Sequence, residues 1–141
     1  MIHYLDTSAL VKRYVHEAGS ASVRSLFRGR HVATVRVAYA ELAATLARLV
    51  RLGRLDEDAR DRVVARLDRD FAAMSVVEVR PGLLRGVPDL VARRPLRGYD
   101  AVHLAAALAI RAGGATVTFW AADQALVGAA RAEGLRTTLL A

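Results

Sequence analysis

The residues with most scope for chemistry in this chain are carboxylates. Asp6 follows a short apolar run, Ile2-His3-Tyr4-Leu5, that reads as a strand. Asp123 lies just beyond a second such run, residues 116–120. Each acid precedes a helical pattern, so both stand where a strand's carboxyl end meets a helix N-terminus. Ligands of open parallel sheets bind outside those strand ends. Capping alone also accounts for either residue, because Asp is a good N-cap and suits the helix dipole. Asp100 opens a helical stretch and can likewise be a cap, with Gly98 and Tyr99 making the turn. Glu41 occurs in a largely apolar segment, residues 35–50, next to Leu42 of its apolar stripe. A lone carboxylate at the edge of a buried face is costly unless it is paired or bound to metal. An ion pair with Arg36 or Arg48 is the alternative to a functional role.

The remaining composition narrows the chemistry. There is no cysteine, and His3, His16, His31 and His103 show no zinc-ligand spacing. A metal here would be held mainly by oxygen, which suits Mg²⁺ or Mn²⁺. Net charge is +7, and Lys12 is the only lysine. An arginine-rich basic surface favours a polyanion, since guanidinium forks match phosphate oxygens. The other acids read differently. Asp56, Glu57, Asp58, Asp61, Asp68 and Asp70 share one arginine-rich helix and form a solvated, ion-paired face. Glu17, Glu78, Asp89 and Glu133 sit in turns or near element ends and are assigned no chemistry.

The elements that must position the acids alternate along the chain. Strands are expected at residues 2–5, 31–34, 75–79, 116–120 and 135–139. Helices are expected at residues 8–15, with Thr7 or Ser8 as cap, and at 20–27, 37–52, 56–74, 81–94, 99–112 and 123–132. Gly53 should stop the third of these, and Gly113-Gly114 the sixth, which is apolar nearly all round and therefore buried. The pattern predicts an α/β fold: a mainly parallel sheet covered by helices on both faces. The 141 residues suit a single domain over 1–141. No apolar run approaches the length of a membrane span and no signal peptide is expected, so a soluble, cytoplasmic protein is anticipated.

The chain resembles the PIN-domain nucleases, most closely the VapC-type toxins of toxin–antitoxin pairs. The resemblance covers essentially all of it. It rests on Tyr4-Leu5-Asp6-Thr7-Ser8-Ala9-Leu10-Val11-Lys12, on Glu41 in the third helix, and on Tyr99-Asp100-Ala101-Val102-His103-Leu104-Ala105-Ala106-Ala107. The segment from Asp123 to Gly134-Leu135 closes it. It implies a three-layer α/β/α sandwich and a Mg²⁺- or Mn²⁺-dependent endoribonuclease leaving 5′-phosphate and 3′-hydroxyl ends. Asp6, Glu41, Asp100 and Asp123 match the acidic positions, and Thr7 or Ser8 the hydroxyl position. Relatives often carry Thr or Ser two residues before the last acid, where this chain has Ala121.

Carboxylates sharing a pocket repel unless a cation neutralises them. Asp6, Asp100 and Asp123 are therefore the expected metal ligands, direct or through water, and Glu41 the group that orients or deprotonates the attacking water. Lys12, Arg13, Arg93, Arg94 and Arg97, with Arg80 and Arg85, are candidates for holding the RNA backbone. His103 lies one helical turn from Asp100 and could face the site, although a buried core histidine is favoured. Phe119 and Trp120 are expected to pack the sheet. The resemblance also implies a cognate antitoxin whose tail covers the site, and a homodimer. The competing reading is a PIN-like module that binds RNA or protein without cutting. Phosphotransfer on another parallel sheet fits poorly: a haloacid-dehalogenase-like phosphatase wants Asp-x-Asp where Asp6-Thr7-Ser8 stands, and a receiver wants an acidic pair there.

Overall fold

A computed structural model describes residues 1–141. Five strands, β1 (Ile2–Leu5), β2 (His31–Val35), β3 (Ser75–Val77), β4 (Val117–Ala121) and β5 (Arg136–Leu139), form one sheet in the order β3-β2-β1-β4-β5. Every pairing is parallel. Parallel neighbours need crossover connections, and here helices supply all of them. They are α1 (Thr7–Leu10), α2 (Ser20–Leu26), α3 (Val37–Arg51), α4 (Glu57–Ala73), α5 (Pro81–Leu84), α6 (Val87–Arg93), α7 (Gly98–Ala112) and α8 (Gln124–Ala132).

β2 is buried on both faces from Val32 to Val35, which is why it reads as a nearly continuous apolar run, while the edge strands β3 and β5 are partly exposed. Successive side chains leave opposite faces. Tyr4 packs with Phe119, Leu90, Leu104 and Leu126, on the side of α6, α7 and α8. Its neighbour Leu5 packs with Leu10, Val23, Leu42 and Phe71, on the side of α1 to α4. The α/β/α sandwich expected from the pattern is therefore present. No helix is long and apolar enough to cross a membrane.

Three local expectations change. The helix after β1 is capped by Asp6, not by Thr7 or Ser8, and lasts one turn before tightening into a 3-10 turn at Val11–Arg13. The stretch 81–94 splits into α5 and α6, because Pro88 enters near the start of a new helix and cannot continue the old one. β3 stops at Val77, two residues short of the expected end, and Glu78 just beyond it pairs with Arg36. Other ends follow the sequence closely: Gly53, at φ 69°, turns the chain just beyond α3 as expected.

β1 is central because it pairs with both β2 and β4. The chain travels from β1 to β2 and β3 on one side, then returns to lay β4 on the other. That reversal places a crevice at the adjoining carboxyl ends of β1 and β4. Leu5 is in register with Trp120 there, and the Asp6 amide donates to the Trp120 carbonyl at 3.1 Å. Leu104, fully buried on α7, holds the covering layer in place. Leu104→Ala should lower the unfolding free energy by about 2–5 kcal/mol, as read by urea denaturation.

Candidate active site

Asp6 stands at the crevice with 5% of its surface exposed. Its Oδ1 accepts the Ala9 amide at 2.9 Å, the bond that starts α1. The Ser8 hydroxyl lies 2.7 Å from Oδ1 and 2.9 Å from Oδ2. Ser8 Oγ in turn accepts the Ala122 amide at 2.9 Å. One hydroxyl thus ties the start of α1 to the loop after β4, next to Asp123. It supplies a hydroxyl at this junction, while Ala121 is fully buried in the apolar layer.

Burial pushes the Asp6 carboxyl up to about 6, with the charge of Asp100 adding to the rise; His103, Ser8 and the Ala9 amide hold it back. Asp100 sits in the first turn of α7, where the helix dipole favours an anion. It is not the cap, because Gly98 and Tyr99 are already helical. Its only charged neighbour at contact is Arg97, at a loose 3.6 Å, and the Arg97 side chain is 88% exposed. Asp123 caps α8, its Oδ1 accepting the Leu126 amide at 3.0 Å.

Glu41 reaches the same place from α3. Its partner is neither Arg36, which pairs with Glu78, nor Arg48. Oε1 accepts the Thr7 hydroxyl at 2.7 Å and lies 2.9 Å from His103 Nε2. Burial would raise this carboxyl, but the bonds from His103 and Thr7 outweigh it and hold Glu41 below the usual carboxylate range. His103 is buried as expected of a core histidine, yet its Nδ1 meets the Tyr4 hydroxyl at 2.9 Å. Sequence reasoning assigned no role to Tyr4 and favoured a core role for His103. The available signal was spacing: Tyr4 is two residues before Asp6 on one strand, and His103 one helical turn after Asp100.

The arginines and the lysine divide. Lys12 is 4% exposed, and its Nζ is taken by Glu17, the Ala18 carbonyl and the Ala141 carbonyl. Arg13 forms a two-point pair with Asp70 and lies over the Phe27 ring. Arg93 and Arg94 both grip Glu133, joining α6 to the end of α8. In each of these four the charge already has a partner within the fold, although the Arg93 side chain stays 49% exposed. Arg97 alone of the expected set stands beside the acids with its charge in water. It lines a groove of about 590 Å³ with Glu41, Val87, Gly98, Tyr99, Asp100 and Val102.

No three or more His, Asp and Glu side chains stand close enough to grip a cation by themselves. Asp6, Asp100 and Asp123 are thus not assembled as a direct three-carboxylate cage. Mg²⁺ keeps several waters and takes one or two carboxylates. A buried Asp6 reached by the charge of Asp100 fits that demand.

Comparison with known proteins gives the family. Residues 3–119 match the model of the PIN domain. The chain belongs to the PIN-domain family. Ribonuclease VapC45 of Mycobacterium tuberculosis (strain CDC 1551 / Oshkosh) is 36% identical over 138 residues, 94% of this chain and 92% of that protein. Ribonuclease VapC49 of strain ATCC 25618 / H37Rv shows the same identity and coverage. Among solved structures, VapC20 of M. tuberculosis, described as a sarcin–ricin loop cleaving toxin, superposes with a TM-score of 0.66 at 21% identity, covering 94% of this chain and 95% of that one. VapBC2 from Rickettsia felis, solved with a DNA fragment of its promoter, superposes with a TM-score of 0.67 at 14% identity over the full length of both chains. These structures share the PIN fold.

The raised Asp6 carboxyl makes a stability prediction. A carboxyl that holds its proton more tightly when folded stabilises the fold fully below about pH 4, and that contribution is lost as pH rises to about 6. In EDTA at pH 7–8, Asp6→Asn, which keeps the cap, should therefore be more stable than wild type by on the order of 2 kcal/mol. Thermal melts should show this gap closing below pH 4. Mn²⁺ should raise the melting temperature of wild type and not of the variant.

Proposed function

We propose that this chain is a divalent-metal-dependent endoribonuclease, the toxin of a toxin–antitoxin pair, working in the cytoplasm. The observation that carries the proposal is the buried Asp6 at the β1–β4 crevice, within reach of the charge of Asp100 and beside a Glu41 whose carboxylate is held ionised. The sequence relatives named ribonucleases support the activity, and the net charge of +7 supports a polyanionic substrate.

Asp6 and Asp100 would hold Mg²⁺ or Mn²⁺, with Asp123 completing the site through water. When bound, the cation supplies water activation and polarisation of the scissile phosphate. Glu41 orients the attacking water and can take its proton. The Thr7 hydroxyl keeps Glu41 in place, and Ser8 keeps Asp6 in place. Arg97, tied only loosely to Asp100, is free to meet a phosphate. Tyr99, 61% exposed beside it, offers a flat face on which an unpaired base can stack. In-line attack then leaves 5′-phosphate and 3′-hydroxyl ends. A cognate antitoxin would cover the groove, and the working form would be a homodimer.

Incubating the purified chain with total RNA tests the core of this reading. Cleavage should require Mg²⁺ or Mn²⁺, stop with EDTA, and disappear in Asp6→Asn and Asp100→Asn. Absence of cleavage with either metal would make the chain a non-cutting RNA- or protein-binding module. Expression should arrest growth, and co-expression of a small open reading frame directly upstream should relieve it.

The groove makes its own prediction. Arg97→Ala should weaken RNA binding and reduce the slope of log affinity against log salt by about one. Tyr99→Ala should raise KM about 10-fold, the value of one lost base stack. Arg93→Ala and Arg94→Ala should leave both quantities unchanged.

A further inference from the structure

Glu41 spends one oxygen on the protein and keeps the other free. Oε1 takes both bonds, from Thr7 and from His103, while Oε2 accepts none, and Glu41 lines the groove. The rotation that leaves Oε2 available is set by whatever holds Oε1. His103 is half of that hold. Its Nε2 lies 2.9 Å from Oε1, and two acceptors cannot rest at that separation, so Nε2 carries the ring proton. Nδ1 meets the Tyr4 hydroxyl at 2.9 Å, accepting from it in a neutral ring and donating to its oxygen in an imidazolium, so the contact links the two side chains in either state.

We propose that Tyr4 and His103 form a hydrogen-bonded relay that fixes the orientation of the Glu41 carboxylate, making both of them positioning residues for the cleavage step. The proposal rests on the reading of Glu41 as the water-orienting group.

The placement of the two residues supports it. Tyr4 is fully buried and His103 is 2% exposed. Their neighbours in the same layer are Leu104, Ala106, Ala107 and Phe119. Filling that space needs no heteroatoms, and a phenol and an imidazole there would leave buried polar groups unpaired if they did not bond each other. The Tyr4 ring is stacked on Phe119, with centroids 5.3 Å apart, which fixes the direction of its hydroxyl. The relay also joins the elements that carry the acids. Tyr4 is on β1 with Asp6, His103 is on α7 with Asp100, and Glu41 comes from α3. Outer hydrogen bonds of this kind orient the groups that touch metal, water or substrate, and losing one costs about 10- to 100-fold in activity or metal affinity.

The test combines kinetics with a readout that does not depend on cleavage. Tyr4→Phe keeps the ring and removes the donor, and His103→Leu removes the link to Glu41. Both should lower kcat, by about 10- to 100-fold for His103→Leu, with the KM for RNA nearly unchanged. His103→Gln, whose amide can still donate toward Oε1, should retain more kcat than His103→Leu. In a Glu41→Gln background neither Tyr4→Phe nor His103→Leu should cost further kcat. On the metal-free protein, two-bond ¹H–¹⁵N NMR should show the Nε2–H tautomer of His103 in wild type and a mixture in Tyr4→Phe. Unchanged kcat in folded Tyr4→Phe and His103→Leu, or an Nδ1–H tautomer in wild type, overturns the proposal. If His103→Leu does not fold, Tyr4→Phe and His103→Gln decide it. A wild type that cuts no RNA defeats the nuclease reading instead, and the tautomer measurement still decides the relay.

Discussion

Burying an ionised carboxylate costs several kcal/mol unless dipoles, hydrogen bonds or a cation offset it. Asp6 faces that cost because it ends the central strand of an all-parallel sheet, where neighbours close on both sides. The protein meets part of it with the Ala9 amide and the Ser8 hydroxyl, and the carboxyl still rises to about 6. Much of the surrounding architecture follows. Ser8 must also reach the loop after β4, so the two strand ends are held together. The first helix must start at once to present its amide. Asp100 must sit in a first turn, where α7's dipole tolerates its charge.

Glu41 solves the same problem differently. It is half-buried, and two donors keep it ionised where burial alone would favour its proton. One site thus holds a carboxyl raised by its surroundings and another lowered by them. Environments that push two carboxyls apart give them different protonation preferences within one site. This asymmetry depends on tertiary contacts between β1, α3 and α7, and no single element contains it.

Charge elsewhere is spent on tying elements together. Arg13 clasps Asp70 across 57 residues, and Arg93 and Arg94 share Glu133 across 40 and 39. Glu133 is only 9% exposed and is held down to about 2 by Arg93 first, with Arg94 adding to it. Such partly buried, two-point pairs set the packing of α6 against α8 more firmly than an exposed contact such as Arg97 with Asp100. What is left for a polyanion is the unpaired fraction of the arginines.

Local pattern by itself determined the sandwich, the strand positions and the N-terminal placement of Asp6, Asp100 and Asp123. Apolar periodicity, helix stops and strand-end geometry are near-neighbour properties that can be read along a chain. The split at Pro88 and the single turn after Asp6 were also local, but they depend on capping details that periodicity does not weigh. Tertiary structure decided which arginines have their charge taken up, because Asp70 lies far in sequence from Arg13, and Glu133 from Arg93 and Arg94. It also decided that Glu41 pairs with Thr7 and His103 instead of an arginine. His103 reads as core along α7, and it is core; only the approach of α3 and β1 turns its two nitrogens into a link between Tyr4 and Glu41. Side-chain type and spacing name the groups that can ionise or donate, whereas the fold sets the distances and burial that choose their partners.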